Sequence, residues 1–280
     1  MSRRLLHISD IHFGPKHLPP VAAGLARLVE ERLPDLVVLS GDQTQRAKPR
    51  QFRQARQWVN ALPVPVLSVP GNHDVPMYRF WERIAAPYGA YRRHYSRDLE
   101  PVWHDEDLIV VGLNTAHGWT VKHGRILPGQ LARLRQVLEQ LGDDRFRVVV
   151  AHHPLAPAPD FRDRSVVRRA AEACRELARL GVHLVLSGHL HIAFLQVLPT
   201  PDGAAGDPVA LLHAGTAASS RGRGREDGRN TCNWIRVDSD AVVVQRLAWQ
   251  PDAEAFAVED ERVLPRGLEG PLTGQVLVPS

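Results

Sequence analysis

The sequence predicts an α/β domain, and three observations carry that prediction. Aliphatic runs of strand length alternate with stretches whose apolar residues recur at helical spacing, and five of those runs stop at Asp, Asn or His residues. The chain, 280 residues with 44% hydrophobic content, is long enough to bury a large core. One domain is the simpler reading, because the five motifs span residues 10 to 191 and have to meet in space. Residues 1–250 are assigned to that domain. Residues 251–280, rich in Pro, Gly and acids, are read as a loosely packed tail.

Arg4 to Ser9 reads as the first strand, and Pro19-Pro20 open a helix over Val21 to Leu33, since proline fits the first helical turn. Leu36 to Leu39 is a second strand. Gln51 to Leu62 is a helix with Phe52, Ala55, Val59 and Leu62 on one side. Val66 to Val69 forms a short buried strand that Pro70-Gly71 ends. Met77 to Ala86 is expected to be helical with Phe80 and Ile84 inward. Tyr88 to Trp103 breaks the pattern by mixing Tyr88, Tyr91, Tyr95 and Trp103 with Arg92, Arg93, His94 and Arg97. Such a mix either clamps a nucleotide or lipid headgroup or packs as a local excursion, and the second is preferred.

Leu108 to Leu113 is a buried strand, and the leucine stripe Leu131, Leu134, Leu138, Leu141 marks a helix ending at Gly142. Arg147 to Ala151 leads into a Pro-rich loop, residues 154–160, a candidate rim for a site. Val166 to Leu180 is a helix and His183 to Ser187 a strand. After them Val209 to His213, Trp234 to Val237 and Ala241 to Leu247 read as strands joined without helices, hence an antiparallel flank. The Gly/Arg-rich loop Ser219 to Arg229 is expected to be mobile and solvated. Arg221, Arg223 and Arg225 are its candidates for reaching an anionic substrate.

A net charge of +4 suits anionic substrates but does not establish nucleic-acid binding, which usually shows a concentrated basic face. Cys174 and Cys232 cannot build a disulfide framework and read as reduced packing residues. No secretory signal and no run of transmembrane length is seen, so a cytoplasmic enzyme is expected.

The chemistry is concentrated where strands stop. Asp10-Ile11-His12, Gly41-Asp42, Gly71-Asn72-His73-Asp74, His152-His153 and Gly188-His189-Leu190-His191 each follow an aliphatic run. Five strands would deliver these groups to one edge of a sheet, the edge at which open α/β sheets bind ligands. Carboxylates, imidazoles and an amide without thiolate suit divalent zinc, manganese or iron, and the set is too large for one ion.

Taken in order, these motifs resemble those of the calcineurin-like metallophosphoesterase superfamily. The opening HISDIHFG with GNHD and GHLH looks most like bacterial class III cyclic nucleotide phosphodiesterases. The resemblance covers residues 4 to 215 and implies a four-layer α/β/β/α sandwich of two mixed sheets flanked by helices. It implies two divalent cations (Mn, Fe or Zn), with Asp10, His12 and His191 on one, Asn72, His152 and His189 on the other, and Asp42 bridging. A shared hydroxide would attack phosphorus. His73 would bind the phosphoryl group or protonate the leaving oxygen, with Asp74 orienting and charging its ring. His153 is assigned behind the ligands, and His153 and His213 are further candidates for touching substrate.

Gln45 stands where many relatives have a second aspartate, Gly-Asp-x-x-Asp, so that position supplies no charge. The implied substrate is a small phosphodiester, a 3',5'-cyclic nucleotide among them. A pyrophosphatase acting on a nucleotide-linked lipid and a nuclease are the enzymatic rivals, and a protein-binding scaffold is the non-enzymatic one. A homodimer is allowed.

Overall fold

The aliphatic runs assemble into two sheets rather than one. The computed structural model describes residues 2–120, 122–142, 144–159, 165–198, 208–266 and 276–277. The chain runs β1 (Arg3–Ile8), α1 (Pro19–Arg32), β2 (Leu36–Leu39), α2 (Pro49–Asn60), β3 (Val66–Ser68), α3 (Phe80–Ala85), α4 (Gly89–His94), β4 (Val102–His104) and β5 (Leu108–Leu113). It continues through α5 (Pro128–Leu141), β6 (Phe146–Ala151), α6 (Ala170–Arg179), β7 (Leu184–Ser187), β8 (Phe194–Leu198), β9 (Val209–His213), β10 (Thr231–Val237), β11 (Ala241–Gln250), β12 (Ala255–Pro265) and β13 (Val276–Leu277).

One sheet has the order β12-β11-β10-β1-β2-β3 and the other β13-β8-β9-β7-β6-β5-β4. In the first, β1, β2 and β3 are parallel while β10 to β12 are antiparallel, as predicted for Trp234 to Leu247, whereas Val209 to His213, expected in the same flank, is β9 of the other sheet and runs parallel to β7. In the second, β5, β6, β7 and β9 are parallel, with β4 and β8 antiparallel at its sides.

Strand alternation makes the layers. In β1 and β2, Leu5, Leu36 and Val38 point between the sheets and meet Val110, Val148, Val150 and Leu186 from the other side. Their neighbours Leu6, Ile8, Val37 and Leu39 point outward onto Leu25, Val29 and Phe52 of α1 and α2. On the far face Val111, Val149 and Val185 pack against Leu134 and Leu138 of α5 and Leu177 of α6. The result is the expected α/β/β/α sandwich. Prolines open α1, α2 and α5, and Gly142 closes α5 with φ +91°.

Several expectations are corrected. Residues 255–265, expected in a loose tail, form β12, which pairs with β11 along its length, so residue 250 lies inside the sheet. Its alternation is masked because this edge strand carries Glu259, Asp260, Glu261 and Arg262 and buries only Phe256 and Leu264. Phe80 and Ile84 point outward, each 60% exposed, on a helix of only six residues. Arg83 is the buried side chain there, donating to the carbonyls of Pro76 and Thr120. Tyr91 and Tyr95, by contrast, pack on Phe52, so the Tyr88 to Trp103 segment is a packed excursion.

The Ser219 to Arg229 loop is pinned rather than free. Arg246 pairs with buried Glu226 at 2.7 Å, Arg225 donates to the Ala193 carbonyl at 2.7 Å, and Asn230 donates to the Ser219 carbonyl at 2.9 Å.

Candidate metal centre

The turns that follow β1, β2, β3, β6 and β7 converge at one end of the sandwich. The motif residues therefore come from the adjoining ends of two sheets, not from one sheet edge. The turns are tight. Asp10, His12, Asp42, His189 and His191 all have φ between +52° and +74°, a left-handed backbone that side chains other than glycine seldom adopt. Glycines make room for the approach. A Cβ on Gly41 would overlap the His152 ring, one on Gly71 would overlap Asp42, and one on Gly188 would overlap Ser9 and Asp10.

One group of ligand atoms is Asp10, His12, Asp42 and His191. Asp10 Oδ1 lies 3.1 Å from His191 Nε2 and 3.4 Å from His12 Nε2, and Asp42 Oδ2 lies 3.7 Å from His12 Nε2. The other group gathers on Asn72. Its Oδ1 is 3.1 Å from His152 Nε2 and 2.9 Å from His189 Nδ1, while Asp42 Oδ1 is 3.4 Å from His152 Nε2. Asp42 thus turns one oxygen to each group.

The donor chemistry fits a pair of cations. His12, His152 and His191 point Nδ1 at the carbonyls of Thr44, Ser40 and Arg221, at 3.4, 2.9 and 2.6 Å. Donating there leaves each Nε2 free to turn a lone pair inward once any proton it carries is displaced by a cation, as His152 Nε2 would have to lose the one Asp42 favours. His12 Nε2 and His191 Nε2 then face one another at 3.3 Å. Asp10 Oδ1 and Asp42 Oδ2 are buried among them with no hydrogen-bond donor. A cluster of acceptors without donors is repulsive by itself and favourable around positive charge.

The protonation states follow from the same crowding. Burial alone would raise the Asp10 carboxyl, but the His191 and His12 rings hold it well below the usual carboxylate range. Burial lowers His12 to about 4 and His189 to about 3, so both are neutral and ready to ligate. His152 opposes its own burial and rises to about 9, because Asp42 faces it.

Asp74 has a different task from the one expected. Its carboxylate accepts from the backbone N–H groups of Gly71 (2.9 Å), Gln43 (3.2 Å) and Thr44 (2.8 Å), and from Thr44 Oγ1 (2.9 Å). It is a clamp holding the Asp42 turn to the Asn72 turn. The His73 ring is oriented instead by the Gln45 carbonyl, 2.9 Å from Nδ1. Thr44, two residues beyond Asp42, carries no motif signal in the sequence although its hydroxyl completes this clamp.

His153 lies 1% exposed against the rings of His152 and His189, its Nδ1 2.8 Å from Thr115 Oγ1. His213 is 0% exposed, stacked on Phe194 and bonded to Ser187. Among the described residues His153 Nε2 has no hydrogen-bond partner and lies with the His152 and His189 nitrogens in one candidate metal group, while His213 is packed away in the core. The Pro-rich loop also packs inward, with Leu155, Ala156 and Ala158 buried, and its residue 160 lies outside the described residues. Access is from the side of His73 and His189, which are half-buried.

A sequence profile of calcineurin-like phosphoesterases matches residues 3–193, which contain every one of these ligands. The chain belongs to the calcineurin-like phosphoesterase family. Among its relatives is a cAMP/cGMP dual specificity phosphodiesterase of Mycobacterium tuberculosis, 31% identical over 263 residues, 85% of this chain and 77% of that protein. A probable cyclic nucleotide phosphodiesterase of a Synechococcus species is 31% identical over 63% of this chain, and the match spans 66% of its own length, just under two thirds.

Solved structures share the fold of this family member at low identity. A purple acid phosphatase from yellow lupin superposes with a TM-score of 0.70 at 11% identity, covering 95% of this chain and 54% of the lupin chain. A dimetal phosphatase from Danio rerio superposes with 0.66 at 11% identity, covering 94% and 99%.

Proposed function

We propose that the protein hydrolyses phosphodiesters at a dinuclear metal centre, with 3',5'-cyclic nucleotides as the substrate class. The observation that carries this is the two-sided acceptor cluster joined by Asp42. Asp10, His12 and His191 would hold one cation, and Asn72, His152 and His189 the other. Zinc, manganese and iron match the oxygen and nitrogen donors and the absence of sulfur. When bound, such ions supply Lewis acidity at the phosphoryl oxygens and lower the pKa of a water toward about 7.

The residues do the rest. Asp42 sets the spacing of the two ligand groups, and its Oδ1 also accepts the His73 amide N–H at 2.8 Å. His73, with Nδ1 held on the Gln45 carbonyl, turns Nε2 toward the opening, where a proton can pass to a leaving oxygen. Substrate choice is supported by the named relatives, both cyclic nucleotide phosphodiesterases. The lipid-linked rival loses the aromatic segment named for it, since Tyr91 and Tyr95 are packed into the core. A scaffold without catalysis has no need of a complete ligand set. A cytoplasmic setting is supported by two unpaired cysteines, Cys174 and Cys232.

The test is a substrate panel on purified, metal-reconstituted protein with manganese, zinc or chelator. It compares an aryl phosphodiester, its monoester, cyclic AMP, a sugar-nucleotide diphosphate lipid and single-stranded DNA. Diester turnover that chelator abolishes is expected, and monoester turnover exceeding it overturns the reaction class.

A further inference from the structure

A cavity of about 240 Å³ opens beside His73, lined by Gln45, Arg46, Val75, Met77, Tyr78 and Arg221 as well. It holds two guanidinium groups, and no carboxylate lines it. Arg221 comes from the pinned Gly/Arg loop. Its Nη2 stands 3.2 Å from His73 Nε2, and among the described residues no acid pairs with it. A half-buried arginine that turns one donor toward a histidine ring nitrogen and faces no carboxylate at the mouth of a phosphoesterase site is set up to receive an anion.

The neutral residue at position 45 matters for this. The Gln45 side chain accepts the Lys16 amide N–H at 3.0 Å and brings no charge, so nothing there neutralises Arg221 or Arg46. Farther out, the Arg46 guanidinium lies 5.3 Å over the Tyr78 ring, and that ring is 74% exposed. Together they form a flat, cationic, aromatic wall of the kind that stacks on a planar ring. At about 240 Å³ the cavity is smaller than typical ligand sites of ~300–1,000 Å³, room for one ring-sized group and not for an acyl chain.

Building on the phosphodiesterase reading, we propose that Arg221 binds a non-bridging oxygen of the substrate phosphoryl group while the cavity between it and Tyr78 takes a flat, ring-bearing ester arm. On substrate binding, Arg221 leaves His73 Nε2 for the phosphoryl oxygen, which frees that nitrogen to take up a proton from solvent and pass it to the leaving oxygen. The backbone carbonyl of Arg221 stays on His191 throughout, so the side chain can be changed without altering the ligand's partner.

The experiment uses manganese-reconstituted protein with Arg221→Ala, Arg221→Lys and Tyr78→Ala. Arg221→Ala is expected to keep full metal content and to lose about 100-fold in kcat/KM on diesters, the scale of one oxyanion donor. Guanidinium ion added to the assay should restore part of that rate, and Arg221→Lys should fall between. Tyr78→Ala should shrink the kcat/KM ratio of cyclic AMP over glycerophosphoethanolamine, a ringless diester, by about 10-fold. Unchanged kcat/KM in Arg221→Ala, metal loss in step with rate, absence of guanidinium rescue, or an unchanged ratio in Tyr78→Ala would each overturn the proposal.

Calorimetry with inorganic phosphate separates the two readings. Phosphate is expected to bind the parent protein about 10-fold tighter than Arg221→Ala, and equal affinities overturn the clamp. A parent protein that binds phosphate in this way yet turns over no diester overturns the phosphodiesterase reading and leaves the clamp standing.

Discussion

Replacing Asp74 by asparagine separates two roles for this carboxylate. If it orients and charges His73, the amide should cost rate and little else. The contacts point elsewhere, because both carboxylate oxygens are spent on four donors from Gly71, Gln43 and Thr44. An asparagine keeps one oxygen and turns an NH₂ toward two N–H or O–H donors, so two charge-assisted hydrogen bonds are lost. At about 1.5–3 kcal/mol each, that loss is about 3–6 kcal/mol.

An opposing effect reduces it. Burial and the nearby Asp42 carboxylate push Asp74 up to about 7, and the neutral amide escapes that penalty. A net destabilisation of about 2 kcal/mol or more is expected at pH 8, where Asp74 is ionised. Urea unfolding of chelated protein measures it, and elemental analysis of reconstituted protein should show fewer cations bound, because the Asp42 and Asn72 turns have come apart. A variant with parental stability and metal content but reduced turnover would refute this reasoning and return Asp74 to His73.

The remaining predictions concern the ligands and the core. Asp42→Ala should lose both cations and activity while His73→Ala keeps the cations and loses rate, and equal metal loss in the two would contradict the division of roles. Gly41→Ala puts a methyl group into the His152 ring at a φ of +108°, so metal analysis should show loss of the ion that His152 helps hold. The buried His213 has a pKa near 3, lowered by burial, against 6.5 for an exposed histidine. As pH falls below about 6.5 the unfolded chain takes up a proton that folded His213 refuses, so stability is lost toward acid. In His213→Phe the chelated protein's stability should fall less steeply between pH 6 and 4, by about 1.4 kcal/mol per pH unit. An unchanged slope in urea titrations would show that His213 does not carry this proton uptake.

What could be read from the chain, and what could not, has physical causes. Strands buried on both faces, such as Leu36–Leu39 and Leu184–Ser187, announce themselves as unbroken aliphatic runs. Ligand motifs sit directly behind those runs, so their convergence follows once the strands are parallel. Edge strands are harder. The outward residues of β12 are charged, and Phe194–Leu198 follows the last ligand turn by only two residues, leaving no punctuation between them. α3 was given the wrong face because a single buried guanidinium, not apolar periodicity, anchors it. The contacts of Asp74 and Arg221 escape sequence reading for a related reason. Their partners, Thr44 and His73, lie 30 and 148 residues away, and no local spacing encodes such a contact.

The left-handed turns bear on the order of events during biogenesis. Five of the seven ligand residues occupy backbone conformations that cost on the order of 1–3 kcal/mol each when unsupported. Only the closed sandwich can impose them, through pairings such as β1 with β2 and β6 with β7. A nascent or denatured chain therefore does not hold these residues in this arrangement. The shape of the cradle is a product of the closed fold, and the residues that would hold cations take their places only when the two sheets have come together.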